Sequence, residues 1–368
     1  MIVDPSHFKA YYDVSRLTIS RLDDPLGDFY LKDWFTDFPH KDRIFVHSFP
    51  LHEDDVKEVV QFCRRHTDHV HLIILCGQAV PMDPFNKLIA QQEKVFILND
   101  SGHTSDRSYP VFNTHRVFGK GYIGKVPFVD WAKRKHTLSA LSLRYEPHRW
   151  IMTAHLNRLN RKDHVFSFHN AVPECYTVEH FVSNAKIMCN FDVDKQMADS
   201  VQALIDRAPV VPEGLYNPRP NGMVDDMTWT HDTADLHLHM DSKVNLTMEG
   251  QFVDNGNGCN ITEKTLKCLA TGCFPLHVGQ SGFYDFLRSM GFNFNIDFDL
   301  SYDDASGDTR REKLHKLMSI VSDLKPTDEM EQCAKENYEW FHNGWFEHCE
   351  KQNKAVLQRL SARIKDTL

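Results

Sequence analysis

Length, composition and charge set the first limits on this chain. It has 368 residues, of which 41% are hydrophobic and 11% aromatic, enough to form the cores of two domains. No apolar run reaches the roughly 18 residues of a membrane-spanning helix, and the N-terminal residues lack the basic and apolar regions of a signal peptide. These features predict a globular chain without a membrane span.

Cysteine usage gives a second limit. The chain has nine cysteines, an odd number, and none of them forms a Cys-x-x-Cys motif. This pattern argues against a disulfide framework and against a zinc ribbon. It predicts reduced thiols and a cytoplasmic location, which would be the host cytoplasm if the protein is viral.

The net charge of −9 is unevenly distributed along the chain. Between Arg107 and Lys162, 12 Lys and Arg residues stand against only Asp130 and Glu146, a balance of +10. A basic segment in an acidic protein predicts an anion-facing surface. The alternative is a basic helical face that pairs with acidic residues elsewhere in the chain.

The first hundred residues show alternating strand and helix patterns. Strands are predicted at 43–49, 70–77 and 94–100, with an amphipathic helix at 53–66 and a shorter helix before the third strand. This alternation predicts a parallel, doubly wound sheet. Ligands bind beyond the carboxyl ends of such strands, which draws attention to the loops that follow each one.

The middle of the chain is predicted to be largely helical. Helices are expected at about 129–142 and 148–160, and these carry much of the basic segment. A strand pattern follows at 163–168, and 177–207 has a helical pattern. Four prolines between Pro209 and Pro220 interrupt the chain after it.

The second half contains a further strand–helix–strand pattern. A period-2 strand at 243–249 leads through a loop rich in Gly and Asn to a helix at 262–271 and a strand at 273–278, which predicts a βαβ unit. Helices at 309–324 and 327–366 complete the chain. The predicted fold is α/β, with two Rossmann-like lobes facing a cleft and C-terminal helices. The predicted domains are 1–168, 169–345 and 346–368.

The start of the helix at 262–271 has the chemistry of an anion site. Thr262 is a good N-cap residue, and Glu263 lies in the first turn, where the helix dipole favours an anion. Lys264 and Lys267 are three residues apart and lie near one face, and Gly272 is placed to end the helix. Helix N–H groups and lysines bind phosphate, and a carboxylate accepts ribose hydroxyls. The alternative is a capped surface helix with solvated charges.

A family resemblance extends over residues 243–303. It is carried by Glu249, Ile261-Thr262-Glu263-Lys264, Leu269, Gly272, Pro275-Leu276, Gly279, Phe283, Leu287, Gly291-Phe292 and Ser301-Tyr302-Asp303. This pattern resembles the donor-binding lobe of two-domain GT-B glycosyltransferases, including the Thr-Glu-Lys block of α1,3-fucosyltransferase-type enzymes. It is more similar still to glycosyltransferases encoded by large phages and viruses. A fainter similarity covers 144–168.

The resemblance implies a nucleotide-diphosphate sugar as co-substrate and transfer of its sugar to an acceptor hydroxyl. The implied donor-binding residues are Glu249, Thr262, Glu263, Lys264, Lys267, Arg144 and Arg149. Glu263 would hold the ribose or the sugar, Lys264 would contact the diphosphate, and Glu249 would face the cleft. Such folds need no metal, because cationic side chains and helix dipoles stabilise the departing nucleotide. The Asp-x-Asp motifs at 192–194 and 297–299 follow no convincing buried strand, so they are interpreted as surface loops.

A general base is needed if the acceptor hydroxyl is deprotonated during transfer. The resemblance implies that it comes from the first lobe. His47, Asp100 and His103 are candidates because they lie at or just after predicted strand ends. The alternative for each is a helix cap or a solvated loop residue.

The preferred acceptor is a hydroxymethylated pyrimidine in DNA. A viral-type enzyme of DNA modification would extrude the base to reach it, and a basic surface would hold the DNA. The residues proposed for that surface are Lys120, Lys125, Lys133, Arg134 and Lys135. A glycan or protein acceptor is the alternative. A non-enzymatic nucleic-acid binder would also use this segment, with steep salt dependence and no turnover.

Metal-dependent hydrolysis is a further alternative. Asp235 to Asp241 alternates in polarity, which places His237 and His239 on one face of a predicted strand. A His-x-His strand begins the metal site of some hydrolase barrels. However, only 129 residues follow His239, whereas a barrel that opens with this strand needs roughly 200.

Overall fold

The computed structural model describes most of the chain. The described residues are 11–13, 44–47, 53–75, 83–99, 105–111, 119, 121–142, 145–168, 177–212, 236–250, 252, 259, 261–304 and 310–368. The fold is α/β, as predicted, with two sheets and two compact units. Unit 1 comprises Met1–Lys120, Asn255–Asn260 and Phe346–Leu368, and unit 2 comprises Gly121–Asp254 and Ile261–Trp345.

The elements of the described residues are numbered in chain order. The strands are β1 (Tyr11–Asp13), β2 (Ile44–His47), β3 (Val70–Leu75), β4 (Val95–Asn99), β5 (Ser108–Pro110), β6 (His136–Ala140), β7 (His164–Phe166), β8 (Ser242–Met248) and β9 (Phe274–Val278). The α-helices are α1 (Glu53–Arg65), α2 (Asp83–Gln91), α3 (Pro147–Leu159), α4 (Val178–Cys189), α5 (Lys195–Arg207), α6 (Leu236–Met240), α7 (Glu263–Ala270), α8 (Phe283–Ser289), α9 (Arg310–Ser322), α10 (Asp328–Asn343) and α11 (Trp345–Thr367).

Unit 1 is built on a five-stranded sheet in the order β1-β2-β3-β4-β5. Strands β2 to β5 are parallel, and β1 pairs antiparallel with β2. Alternate residues of β3 and β4 enter two separate apolar clusters, as expected for a sheet covered on both faces. The first three predicted strands and the helix at 53–66 are confirmed here.

The two faces of this sheet are covered by different helices. Apolar residues of α1 and α2 pack with Ile73 and Ile97 on one face. On the other face, α11 contributes Val356, Leu357, Leu360 and Ile364, which pack with strand residues that include Leu72 and Phe96. The region 346–368, predicted as a separate C-terminal part, therefore belongs to the core of unit 1.

Unit 2 is built on a four-stranded, fully parallel sheet in the order β7-β6-β8-β9. The helix predicted at 129–142 is wrong. A short 3-10 helix occupies Trp131–Lys133, and the chain then enters β6. Pairing of β6 with β7 on one side and β8 on the other outweighs the local helical pattern, and it buries Leu138 and Ala140.

The domain boundary predicted at 168/169 differs from that of the structure. Strand β6 pairs with β8 through registers such as Ser139 with Asn245, so residues 121–168 share a sheet with the second half of the chain. The boundary between the compact units lies at 120/121. The sequence offered no signal for this pairing, because its two partners lie about a hundred residues apart.

Two other predicted elements are corrected. The helical region 177–207 consists of α4 and α5, because Asn190 adopts a left-handed conformation with φ of 50° and Asp194 caps α5. The strand predicted around His237 and His239 is the short helix α6. Residues two apart point in nearly opposite directions on a helix, so these histidines do not share one face.

Among the described helices, none combines the length and apolarity needed to cross a membrane. The seven cysteines that the structure describes are all buried, and none of these seven forms a disulfide.

Candidate functional site

The carboxyl edge of the second sheet contains the point where strand order reverses. The chain passes from β6 outward to β7, and later from β8 outward to β9 in the other direction. Right-handed crossovers then place the following helices, α3 and α7, on opposite faces of the sheet. Such a switch point is where α/β sheets bind ligands. The start of α3 and the start of α7 both lie at this edge.

The helix start predicted at Thr262 is confirmed. Thr262 is the N-cap of α7, with its side chain accepting a hydrogen bond from the backbone N–H of Lys264 at 3.4 Å. The apolar residues Leu266, Leu269 and Ala270 of this helix are fully buried. Gly272 follows the helix with φ of 67°, and a Cβ there would lie 2.6 Å from the Phe128 ring, so both conformation and space require glycine.

Glu249 caps this helix from the end of β8. Its side chain is 0% exposed. One carboxylate oxygen accepts hydrogen bonds from the backbone N–H of Thr262 at 3.0 Å and from the Thr265 hydroxyl at 2.6 Å. The other accepts from the Thr262 hydroxyl at 2.6 Å. This corrects the expectation that Glu249 faces a ligand, because its carboxylate is committed to the start of α7.

The main chain of Glu249 also holds the start of α3. Its carbonyl accepts hydrogen bonds from His148 Nε2 at 2.9 Å and from Arg149 Nε at 3.2 Å. Arg149 and the backbone N–H of Thr262 therefore both donate hydrogen bonds to Glu249, which holds Arg149 next to the start of α7. Of the predicted donor-binding residues, the structure brings together Arg149, Glu249 and the Thr262–Glu263–Lys264 turn, which sequence spacing alone did not connect.

Glu263 and Lys264 form a partly exposed ion pair beside the helix start. Their charged atoms are 3.0 Å apart, and each side chain is 29% exposed. Burial raises the pKa of Glu263, but the adjacent Lys264 ammonium outweighs it and brings the pKa down to about 2. Glu263 is therefore ionised at neutral pH and can accept hydroxyl groups. Lys264 and the dipole of α7 supply positive potential at the same place, next to the carboxylates of Glu249 and Glu263.

Two predicted donor-binding residues, Lys267 and Arg144, are not part of this group. Lys267 is 7% exposed in the last turn of α7, so it is buried rather than displayed with Lys264. This corrects its expected contact with a ligand, because the lysine lies one turn further into the packed helix. Arg144 lies outside the described residues.

A buried ion pair supports the loop after β9. Lys313 Nζ lies 3.1 Å from Asp303 Oδ1 and donates to the Gln280 carbonyl at 3.2 Å. The second Asp303 oxygen accepts from the backbone N–H of Tyr284 at 3.1 Å. The two side chains are 1% and 4% exposed. Burial raises the pKa of Asp303, and the Lys313 ammonium opposes that rise. In the sequence, Asp303 stands out only as part of a motif, and no local pattern points to Lys313.

Two buried histidines, His148 and His277, lie near this ion pair and Arg149. His148 stacks on Phe252 with ring centroids 5.0 Å apart, and His277 stacks on Phe283 at 3.9 Å. Burial, aided by the charge of Arg149, lowers the pKa of His148 to about 3. Burial and Lys313 lower the pKa of His277 well below its ordinary value. Both rings are therefore neutral at physiological pH, and this edge of the sheet carries cations without protonated histidines.

Some residues of the predicted basic surface are exposed and one is buried. Arg134 is 6% exposed, and its guanidinium donates to the carbonyls of Ser242 at 2.6 Å and Thr271 at 2.8 Å. This corrects its expected role in DNA binding, because the side chain joins parts of the interior. Lys125 and Lys133 are exposed. Lys135 is 70% exposed and pairs with Asp241 at 2.6 Å. Lys120 lies outside the described residues.

The candidate bases and metal motifs are only partly described. His47 is the last residue of β2 and pairs with Ile73 in β3, whereas Asp100 and His103 lie outside the described residues. In the Asp-x-Asp motifs, Asp192, Asp297 and Asp299 are exposed, and Asp194 caps α5. Within the described part of the chain, no three His, Cys, Asp or Glu residues are grouped to hold a metal ion.

Comparison with known proteins adds no assignment. No protein-family model matches the chain, and no curated protein matches it significantly. The functional interpretation therefore depends on the residues at the carboxyl edge of the second sheet.

Proposed function

We propose that this protein is a GT-B-like glycosyltransferase that uses a nucleotide-diphosphate sugar. The observation that carries the proposal is that Arg149 and Thr262 both bind Glu249 at the switch point of a parallel sheet. Glu263 and Lys264 follow Thr262 directly in the chain. This arrangement combines a helix start, cationic groups and an ionised carboxylate. A nucleoside diphosphate presents phosphates and ribose hydroxyls, which are the complementary groups.

Each group has a distinct role in the proposed site. Lys264 binds the diphosphate, since the N–H groups of Thr262 and Lys264 already have acceptors in Glu249 and Thr262. Arg149, which is 4% exposed, adds positive charge beneath the helix start that favours the departing nucleotide. Glu263 accepts hydroxyls of the ribose or of the transferred sugar. His47, Asp100 and His103 are proposed as candidate bases for the acceptor hydroxyl. Two Rossmann-like lobes facing a cleft and a cytoplasmic location belong to the same proposal, and the chemistry requires no cofactor.

The donor site is tested by Lys264→Ala and Glu263→Ala. Each variant is expected to lower affinity for a nucleoside diphosphate about tenfold, which corresponds to about 1.4 kcal/mol. The first removes a phosphate-binding charge and the second removes the hydroxyl acceptor. Isothermal titration calorimetry with UDP and GDP measures both. Lys325→Ala, at an exposed loop position of unit 2, is the matched control. Unchanged affinity in both site variants would exclude the proposed donor site.

The preferred acceptor is hydroxymethylated pyrimidine in DNA. Lys125, Lys133 and Lys135 are exposed within the basic segment and can reach phosphates, although Lys135 also contacts Asp241. Phosphate contacts of this kind supply sequence-independent affinity. A glycan or protein acceptor uses the same donor site without this surface.

The acceptor is tested by the double variant Lys133→Ala, Lys135→Ala. Its DNA affinity at low salt is expected to fall several-fold, with a shallower dependence on salt, because two phosphate contacts are lost. Fluorescence anisotropy with labelled duplex DNA measures both quantities. Lys325→Ala, Lys335→Ala is the control, since both residues are exposed in unit 2. Unchanged DNA affinity and unchanged salt dependence would show that this surface does not bind DNA.

One experiment separates the competing functions. Nucleotide sugars are screened for thermal stabilisation, and the stabilising donor is incubated with hydroxymethylpyrimidine DNA. A mass increase of one sugar per modified base supports the preferred acceptor. Donor hydrolysis or binding without DNA modification indicates a glycan or protein acceptor. DNA binding without donor binding indicates a non-enzymatic nucleic-acid binder.

A further inference from the structure

Two cysteines meet where α7 ends. The backbone N–H of Cys273 donates to the Cys268 carbonyl at 3.0 Å, and that of Gly272 donates to the Leu269 carbonyl at 3.2 Å. With Gly272 in a left-handed conformation, these two bonds form a Schellman motif. The motif brings the side chains at its two ends into contact, usually as an apolar pair. Here both ends carry a thiol, and both cysteines are free.

The surroundings of Cys273 are polar although the residue is buried. Its sulfur lies 3.4 Å from Arg134 Nη1 and 3.4 Å from the Thr271 hydroxyl. As a thiol it donates to the His239 carbonyl at 2.8 Å. A guanidinium within reach of the sulfur stabilises a thiolate there. The sulfur of Cys268 has a different contact, with the Cys273 carbonyl at 3.5 Å.

These surroundings make the two thiols unequal. Burial raises the pKa of Cys273, but hydrogen bonding with the side chains of Cys268 and His239, together with the charge of Arg134, brings it well below its ordinary value. Burial and the neighbouring Cys273 raise the pKa of Cys268 well above its ordinary value. One sulfur is therefore favoured as the thiolate, and the other remains protonated. A thiolate beside a second thiol is part of the arrangement of redox-sensing cysteines. Because Cys268 is 0% and Cys273 1% exposed, the oxidant that suits this pair is a small one such as hydrogen peroxide.

We propose that Cys268 and Cys273 are a redox-active pair that hydrogen peroxide converts into a disulfide. The Cys273 thiolate attacks one peroxide oxygen, so an S–O bond forms, the O–O bond breaks, and hydroxide leaves and takes up the proton lost from Cys273. The sulfur of Cys268 then attacks the sulfenic acid. The S–S bond forms, the S–O bond breaks, and the hydroxyl group leaves as water with the Cys268 proton. Two thiols and one hydrogen peroxide give one disulfide and two water molecules.

The consequence is a covalent connection between the end of α7 and the start of β9. The backbone hydrogen bond between the two residues already holds them together in the reduced protein. The opposite end of α7 carries Thr262 and Lys264, but the redox proposal does not depend on the proposed function. It concerns the thiols alone and can be tested without any substrate.

The test is peptide mapping of the full-length native protein after treatment with hydrogen peroxide. Remaining thiols are blocked with N-ethylmaleimide under denaturing conditions before trypsin digestion. The tryptic peptide 268–288 contains both cysteines and no other. It is expected to escape alkylation and to be lighter than the reduced peptide by two hydrogen atoms, and dithiothreitol is expected to reverse this. Cys63 and Cys333 are internal controls, because burial raises the pKa of each to about 12.

The order of reaction is tested by two serine variants. In Cys268→Ser, the Cys273 sulfenic acid is expected to persist and to react with dimedone. In Cys273→Ser, Cys268 is expected to remain a free thiol. Peptide mapping of the wild-type protein tests for the disulfide even if a serine variant fails to fold. Full alkylation of both cysteines in peptide 268–288 after peroxide treatment, or oxidation of Cys63 and Cys333 at the same rate, would overturn it.

Discussion

Lys313→Met is expected to lower the free energy of unfolding by about 4 kcal/mol, because removing one partner of a buried ion pair leaves an uncompensated charge. Asp303 is 4% exposed at the side chain and keeps its hydrogen bond from Tyr284, but it loses its cation. The methionine also cannot donate to the Gln280 carbonyl, which Lys313 contacts at 3.2 Å. Urea denaturation followed by circular dichroism measures the loss.

The pH dependence identifies the cause of this loss. Without the ammonium, the folded-state pKa of Asp303, already raised by burial, rises further above its unfolded value of about 3.9. A carboxyl group with a raised folded-state pKa contributes stability that is fully present below its unfolded-state pKa. That stability is lost as pH rises through the folded-state pKa. The deficit of Lys313→Met should therefore be smaller at about pH 5 than at about pH 8.

Two further variants complete the test of the ion pair. Lys316→Met, at an exposed position of the same helix, is expected to change stability by less than about 0.5 kcal/mol. Asp303→Asn added to Lys313→Met is expected to recover part of the loss, because it removes the buried charge. A loss that is independent of pH and unaffected by Asp303→Asn would show that packing, rather than charge, accounts for the role of Lys313.

Glu249→Ala is expected to lower the free energy of unfolding by about 3 kcal/mol, because three donors lose their acceptor in a buried setting. These donors are the Thr262 N–H, the Thr262 hydroxyl and the Thr265 hydroxyl. Each buried donor left without a partner costs roughly 1–3 kcal/mol, although the hydroxyls can partly reorient. The start of α7 should loosen, so nucleotide affinity is expected to fall with stability. Thermal and urea denaturation, followed by calorimetry with the nucleotide, measure both effects.

Glu249→Gln distinguishes capping from ligand binding. Its amide oxygen can still accept from Thr262, so it is expected to retain most of the stability and most of the nucleotide affinity. Glu312→Ala, at an exposed position of α9, is the control for removal of a carboxylate. If Glu249→Gln instead abolished nucleotide affinity at unchanged stability, Glu249 would be a ligand-contacting residue and its assignment as a helix cap would be wrong.

Elements with strong local patterns were predictable from the sequence. The strands β3, β4 and β9 are buried, mainly apolar runs, and β8 has a period-2 alternation. The structure places each of the four within about two residues of its predicted range. Helix α7 was predicted from its threonine cap to its terminating glycine, because both signals lie within the segment itself. For the same reason, the charged turn at Glu263 and Lys264 could be identified from local residue types alone.

The errors have a common physical origin in contacts between distant residues. The local sequence of β6, which begins with His136 and Thr137, has a helix-like pattern. Only its pairing with β8 shows that it is a strand. Arg134 was assigned to a basic surface, but its guanidinium contacts carbonyls more than a hundred residues away. The sequence also places Glu249 in a ligand site, because it does not show the partners of this carboxylate. Glu249 contacts Thr262 and Thr265 only when β8 and α7 pack together.

The central position of β6 determines which fragments of the chain can be produced alone. A fragment that begins at residue 169 would lack both β6 and β7, and the long edge of β8 would then have no partner. Unpaired edges of this length promote aggregation. Because β6 must wait for β8 during synthesis, its own edge stays open while about a hundred residues are translated, which favours slow folding. An expression fragment for unit 2 should therefore begin near residue 121 and extend through residue 345.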